Sequence, residues 1–516
     1  MENKNLILAV ILSFGFLMLW NYIVVPKITP KTVVETTSQG SLSNPTTMTN
    51  GTDVLPSEKT KSAPDLVFQN KNLYIQIAAR GAGIRSWTLQ HDGLPYNLVH
   101  FPDEVNLPLQ TFPEATFQGH IQNQDITLKT TLSNGLRFKK IISINKDNFL
   151  HALRFEFENP TRQAIQVNDW TFGWGPGLGT VASEWSDNHS MIRALSFGKL
   201  RTTTLKGGDE APLGKWAGLD NRYNLIAFIP KTENPVTIVG LGKIDHTQVV
   251  LRQSFSIPAR GKVSIPYEFY VGPKGYTHLL TYGKDLQGSV DFGFFSYIGK
   301  VMLRGIYTFQ KWTGNYGWAI MLLTVCIQLL VLPLTFKSYK AAASMKKLQP
   351  QIVALQAQYK NDPKRLNIEM LNLWKKAGAN PLGGCLPMLP QIPIFFALYT
   401  TIRNAYELHG EPWILWVHDL SAKDPYYILP ILMGGAMFVS QKMSGATMDP
   451  NQRQMMMIMP IMFTFIMSSS PSGLVLYWFT SNIISITSMY LFQRYFDSHT
   501  PRRITPTVID TTLIKD

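Results

Sequence analysis

Toward its carboxyl end the chain holds five apolar stretches without a single Asp, Glu, Lys or Arg inside them: Trp318–Phe336, Gly384–Ile402, Pro425–Gln441, Met455–Ser470 and Leu474–Gln493. A bilayer core takes about 20 apolar residues per helix. Lipid offers no partner to backbone N–H and C=O groups, so segments of this kind cross it as helices. The stretches are studded with polar but uncharged residues: Thr324, Gln328, Gln391, Thr400, Gln441, Thr464, Asn482 and Ser485. Such groups are costly to expose to lipid, so they are expected to face one another or water. A wet interior without titratable groups disfavours proton- and ion-coupled transport, which usually places an ionisable residue at membrane depth.

Leu6–Val25 is a further apolar run, ending at Trp20-Asn21-Tyr22 and Pro26 rather than at a small-x-small cleavage site. It reads as an uncleaved transmembrane anchor (residues 1–26) rather than a signal peptide. Orientation follows from Lys337–Gly383, where Lys337, Lys340, Lys346, Lys347, Lys360, Lys364, Arg365, Lys375 and Lys376 face only Asp362 and Glu369. Loops of this composition stay in the cytoplasm. Counting outward from it gives six transmembrane helices with both ends cytoplasmic and residues 27–290 periplasmic. The acidic loop Glu407–Asp424 then lies outside, and Lys442–Arg453 inside. The net charge of +14 is mostly this juxtamembrane bias, so DNA is not an expected partner.

Residues 27–64, rich in Thr, Ser, Pro and Asn, read as a flexible periplasmic linker. From Asp65 to about residue 285 apolar residues recur with a period of two, as in Leu73/Ile75/Ile77 and Val263/Ile265/Tyr267/Phe269/Val271. Leu153/Phe155/Phe157 alternates in the same way with Arg154/Glu156/Glu158. That is the pattern of a large antiparallel all-β sandwich. Its aromatic residues fit core positions better than a sugar site. Between sandwich and core, residues 290–312 form an amphipathic helix suited to the headgroup plane. Ser296, Lys300, Arg304, Thr308 and Lys311 take one side, and Phe294, Phe295, Ile298, Val301, Met302, Ile306 and Phe309 the other. The alternative is a helix packed on the sandwich.

Inside the basic loop two apolar stripes, Met345/Leu348/Ile352/Leu355/Tyr359 and Leu366/Met370/Leu373/Ala377, flank the turn Asn361-Asp362-Pro363. They predict a helical hairpin over residues 337–380, bent at Pro350. Its basic face is either a solvated, topology-setting surface or a contact for an acidic partner such as ribosomal RNA.

Several chemistries have no residues to carry them. The Gly-x-x-x-x-Gly-Lys-Ser/Thr phosphate loop and the His-Glu-x-x-His zinc motif are absent from the sequence. Ser468-Ser469-Ser470 has no His within the spans to activate a nucleophile, so a helix end is the better reading. His418-Asp419 reads as a structural turn. The two cysteines, Cys326 and Cys385, both fall in spans and offer neither disulfide nor metal spacing for the soluble region. No enzyme activity, cofactor or metal is expected.

Three segments are more specific. Asn380-Pro381-Leu382-Gly383-Gly384-Cys385-Leu386-Pro387 with Gln391-Ile392-Pro393-Ile394-Phe395 resembles the third-span entry of the YidC membrane protein insertases. Trp416-Val417-His418-Asp419-Leu420-Ser421 with Asp424-Pro425-Tyr426-Tyr427 resembles their external loop and fourth span. Pro471-Ser472-Gly473-Leu474-Val475-Leu476-Tyr477-Trp478 resembles the start of their last span. The likeness runs from about Phe292 to Phe496, and an anchor plus a periplasmic sandwich matches the Gram-negative form. It implies a five-helix insertase core over residues 313–496, followed by a cytoplasmic tail (497–516).

The resemblance also implies a function: insertion and chaperoning of nascent membrane proteins without ATP, alone or with the Sec translocon, in the inner membrane. The substrate groove would hold Gln328, Thr324, Gln391, Ile392, Phe395, Tyr477 and Trp478. Partner contacts, the ribosome among them, would use Lys346, Lys347, Lys360, Lys364 and Arg365. In one respect the chain departs from the family. Where its members carry Arg in the second span, shortly before Pro-Leu, this chain has Gln328 before Pro333-Leu334. The reading of a different class is a channel or transporter with a periplasmic sugar-binding-like domain.

Overall fold

The computed structural model describes residues 64–91, 94–101, 106–198, 201–232, 235–360, 362–378, 388–444 and 450–499. The predicted anchor, nearly all of the linker, most of the tail and the Asn380–Pro387 motif lie outside the described residues. Contacts divide the chain into two units that part between Gly272 and Pro273.

The first unit is mainly β, with a short helical turn at Trp185–Asn188. Strands β1 (Leu66–Gln69), β2 (Leu73–Ile77), β3 (Ile84–His91) and β4 (Leu94–Asn97) form one sheet in that order. A second sheet runs β11 (Thr202–Leu205), β10 (Arg193–Phe197), β13 (Trp216–Asp220), β14 (Asn224–Pro230), β17 (Lys262–Pro273), β8 (Leu150–Glu158), β7 (Arg137–Ser143), β6 (Asp125–Thr131), β5 (Gln118–Gln122). The third runs β12 (Glu210–Pro212), β15 (Thr237–Leu241), β16 (Gln248–Ile257), β9 (Ile165–Trp174).

The period-two pattern decides what each face does. Leu153, Phe155 and Phe157 of β8 are fully buried opposite Tyr267, Ile265 and Val263 of β17. Their neighbours face solvent and pair across strands, Glu156 with Lys139 at 3.3 Å and Glu158 with Lys262 at 3.4 Å. Pairs this exposed are worth at most about 1 kcal/mol each; the buried rings carry the stability. Phe172 of β9 packs on Phe155 at 4.7 Å, Tyr267 at 5.0 Å and Phe228 of β14 at 5.5 Å, which joins the second and third sheets. Trp87, Trp170, Trp174, Trp216 and Tyr267 are all core residues. A cavity of about 520 Å³ beside β7, β8 and β17 is lined by Gln124, Asn145, Lys146, His151 and Lys231 among others. No Trp, Tyr or Phe stands in its wall for a sugar to stack on.

The second unit is helical: α1 (Tyr276–Thr281), α2 (Ser296–Thr313), α3 (Tyr316–Gln358), α4 (Pro363–Lys376), α5 (Met388–Asn404), α6 (Ile428–Ser444), α7 (Pro450–Met467) and α8 (Ser472–His499). Thus the β-sheets end at Pro273; within the stretch to residue 285 that was expected in the sandwich, Tyr276–Thr281 is a helix, and it lies in the unit that begins at Pro273. Among the described residues two helices, over Tyr316–Met345 and Ser472–Tyr495, are long and apolar enough to cross a membrane, and Ile428–Met443 and Met457–Met467 are shorter apolar segments.

Local chemistry sets the helix ends. Gly314 closes α2 in the left-handed region at φ 69°, where a side chain would be strained. Asn315 then opens α3 by accepting hydrogen bonds from the N–H groups of Gly317 and Trp318. Asp362 accepts from Arg365 N, with Pro363 in the first turn of α4, as the predicted turn requires. The hairpin's first arm is not a separate helix, however. α3 runs unbroken from the span through Pro333 and Pro350 to Gln358, because Lys340-Ala341-Ala342-Ala343-Ser344-Met345-Lys346-Lys347 is strongly helix-favouring and nothing stops it.

α2 also corrects an expectation. Gly299, Met302, Leu303 and Ile306 are buried against the bundle, while Val301 (56% exposed), Phe294, Tyr297 and Trp312 face outward beside Lys300 and Arg304. The apolar side predicted as one surface is split in two. Packing against α3 and α5 claims one stripe, and the aromatic remainder shares the outer face with the cations.

Candidate functional site

α8 is the common wall of the core. It receives one amide from α3 and one from α5: Gln328 Nε2 donates to Ser481 Oγ at 2.6 Å, and Gln391 Nε2 donates to the Tyr477 hydroxyl at 2.8 Å. Both glutamines are half-buried. A rung of rings lies beside the second bond. Phe395 of α5 meets Trp478 edge-on at 5.1 Å, and Phe463 of α7 lies 4.7 Å from the same indole. Further along α8, Phe492 contacts Phe336 at 5.2 Å and Tyr339 at 5.4 Å, and the Tyr339 hydroxyl reaches the Ser485 carbonyl at 3.5 Å.

The predicted groove residues therefore separate into kinds. Gln328, Gln391, Phe395, Tyr477 and Trp478 come together along α8. Tyr477 is fully buried, so its ring belongs to the packing and its hydroxyl to the bond with Gln391. Ile392 is 52% exposed one residue beyond Gln391, beside Leu389 at 64%. Thr324 stands apart: it is fully buried, and its hydroxyl donates to the Ile320 carbonyl of its own helix at 2.7 Å. Thr464 and Asn482 likewise bond backward within their helices, to Pro460 O and Trp478 O. A mid-helix hydroxyl has that option at i−4 at little cost, whereas a glutamine is long enough to reach another helix. Ser481 and Phe463 are the partners that sequence reasoning missed. Their spacing from Tyr477 and Trp478 put them on known helices, but nothing in the sequence says which helix faces which.

One end of the bundle is stitched shut. Ser472 donates through N (2.7 Å) and Oγ (2.8 Å) to Ala422 O, and Gly473 N donates to Leu420 O at 2.9 Å. Asn315 Nδ2 donates to Pro412 O at 2.9 Å. Asp424, 1% exposed, accepts from Tyr426 N, Leu429 N and Trp416 Nε1. Glu407 accepts from Thr277 N and Oγ1, both at 2.9 Å, which ties α1 to the same loop. Asp419 takes the amide of Ser421, a local side-chain bond two residues on.

At the other end stands the hairpin. Lys347, Lys360, Lys364 and Arg365 are exposed there, with Arg365 over the Tyr359 ring at 5.6 Å; Lys346 sits in α3, its side chain outside what is described. Among the described residues no cluster of His, Cys, Asp and Glu is fit to hold a metal.

The family described as 60Kd inner membrane protein matches residues 308–499, and the one described as YidC periplasmic domain matches residues 110–304. The membrane protein insertase YidC of Endomicrobium trichonymphae is 40% identical over 433 residues, covering 81% of this chain and 83% of the relative. The chain belongs to the YidC membrane protein insertase family. The YidC of Geotalea daltonii is 31% identical over 537 residues, covering 97% of this chain and 100% of the relative. A crystal structure of an active YidC insertase with its first transmembrane domain resolved is 20% identical, with a TM-score of 0.41, covering 84% of this chain and 93% of its own. The YidC resemblance noted in the sequence is thereby borne out over both the β region and the helical core.

Proposed function

We propose that this chain inserts membrane proteins from the cytoplasm into the inner membrane along the face of α8. The observation that carries the reading is the seam on that helix, where Gln328–Ser481 and Gln391–Tyr477 adjoin the Phe395–Trp478–Phe463 rung. The amides offer hydration to a substrate's polar tail, and Ile392, Phe395 and Trp478 offer an apolar track to its span. The tied loops over α8's amino end support a groove closed on the periplasmic side and open toward cytoplasm and lipid.

The energetics need no nucleotide. A substrate span gains roughly 0.3 to 0.6 kcal/mol per Leu, Ile or Phe on entering the bilayer. Over about 20 residues that is on the order of 6 to 12 kcal/mol. Each translocated charge costs roughly 2.5 to 3.5 kcal/mol, so a short tail with a few charges crosses if its path is wet.

Six spans with cytoplasmic termini, residues 27–290 in the periplasm, and the Leu6–Val25 anchor complete the reading. Lys347, Lys360, Lys364 and Arg365, with Lys346, form the surface for an anionic partner, the ribosome in this proposal; the Sec translocon is a second partner. Gln328→Leu tests the groove. Losing one hydrogen-bonding group of about 1 kcal/mol is expected to slow insertion of a single-span substrate with a short acidic tail about fivefold. Insertion at the wild-type rate would remove Gln328 from the path.

A further inference from the structure

Gln328 is a polar group of α3 that reaches α8, as the Tyr339 hydroxyl also does at the Ser485 carbonyl, and it is an amide. Its N–H donates to Ser481 Oγ at 2.6 Å, and its carbonyl end is an acceptor. Gln391 brings a second amide to the Tyr477 hydroxyl. An amide or hydroxyl wall solvates an anion through N–H and O–H and a cation through C=O. A guanidinium cannot do this, since it has donors only and a fixed positive charge.

No full charge stands nearby on these helices. Lys337, the next cation along α3, is nine residues from Gln328, about 14 Å at 1.5 Å per residue. Arg403, along α5, is twelve residues from Gln391, about 18 Å, with its guanidinium turned to Tyr399. Both exceed the roughly 8 Å over which exposed charges act at physiological salt. Arg494 is farther still from Ser481 along α8.

We propose that Gln328 makes the groove indifferent to the sign of charge: it admits substrate tails bearing Lys or Arg as readily as tails bearing Asp or Glu, and selects on the number of charges alone. This rests on the α8 groove reading above. A fixed cation at that position would break the symmetry. Even in water-like surroundings two unit charges about 4 Å apart shift an equilibrium about fivefold, in opposite directions for the two signs. The acid-to-base preference then reaches on the order of 30-fold.

The test uses the full chain in proteoliposomes of zwitterionic lipid without a membrane potential. Three single-span substrates share one span and differ only in a tail with two Asp, two Lys or two Asn, and protease protection reads insertion. The wild type is expected to insert the Asp and Lys tails within about threefold of each other, both below the Asn tail. Gln328→Arg is expected to raise the Asp-to-Lys ratio at least tenfold, with its fold certified separately by a melting temperature in detergent equal to that of the wild type. A tenfold or greater preference in the wild type overturns the proposal, and so does an unchanged ratio in Gln328→Arg. Should Gln328→Arg melt lower or fail on the Asn tail, Gln328→Lys takes its place under the same criteria. If the wild type fails to insert even the Asn tail, the groove reading itself falls, and this inference with it.

Discussion

Lowering the pH from 7 to 5 is expected to loosen the β unit, through His151. This residue of β8 is 4% exposed, its ring lies 5.4 Å from Trp87, and its Nδ1 accepts the N–H of Asn145 at 3.1 Å. Only the neutral ring can accept there, and burial pulls its pKa from 6.5 down to about 4. Because the folded value is the lower one, the unfolded chain binds more protons between pH 4 and 6.5, so stability falls as pH falls. The contribution is complete above about pH 6.5 and gone below about pH 4. The whole shift is worth about 3 kcal/mol, of which about 2 kcal/mol is lost between pH 7 and 5. Hydrogen exchange of peptides from residues 137–158, measured on the full chain in lipid nanodiscs and corrected for intrinsic rates, reads this as opening about 30-fold more frequent at pH 5. His151→Gln keeps an acceptor for Asn145 without a proton to gain and should flatten the dependence. Equal pH slopes in the wild type and His151→Gln would refute the argument.

Two further perturbations probe the rest of the fold. Lys140 is fully buried, its ammonium donating to the carbonyls of Ala82 and Leu109, and burial lowers its pKa to about 7; with the folded value again the lower one, stability should rise by about 2 kcal/mol from pH 7 to 9, a gain that the same exchange measurement should find missing in Lys140→Met. Gly434 of α6 packs so closely on Thr464 Oγ1 of α7 that a Cβ there would overlap it, so Gly434→Ala should cost about 1–3 kcal/mol of thermal stability in detergent, and adding Thr464→Ala should restore most of it; a double variant as unstable as the single one would contradict this contact.

What the sequence made legible follows from where a single strand or helix decides its own fate. Alternation placed Leu153, Phe155 and Phe157 inside and Glu156 and Glu158 outside without reference to any partner. Asp362-Pro363 marked its turn because capping is local. Thr324 looked like a groove residue because its type is polar, yet its hydroxyl had a partner one turn back on the same helix. α2 showed the limit most plainly: its periodicity gave one apolar side, but only packing told Met302, which is buried, from Val301, which is exposed. Ser481 escaped notice for the same reason, since its role depends on α3 lying alongside α8.

The central claim is that substrates travel along α8, and site-specific photo-crosslinking to a stalled nascent membrane protein tests it most directly. Crosslinkers at positions 328, 392, 395 and 478 should all form adducts with the substrate span or tail, while one at Phe465, 81% exposed on α7, should not. Adducts at 465 as abundant as those at 478, or none at 328 and 395, would contradict the account.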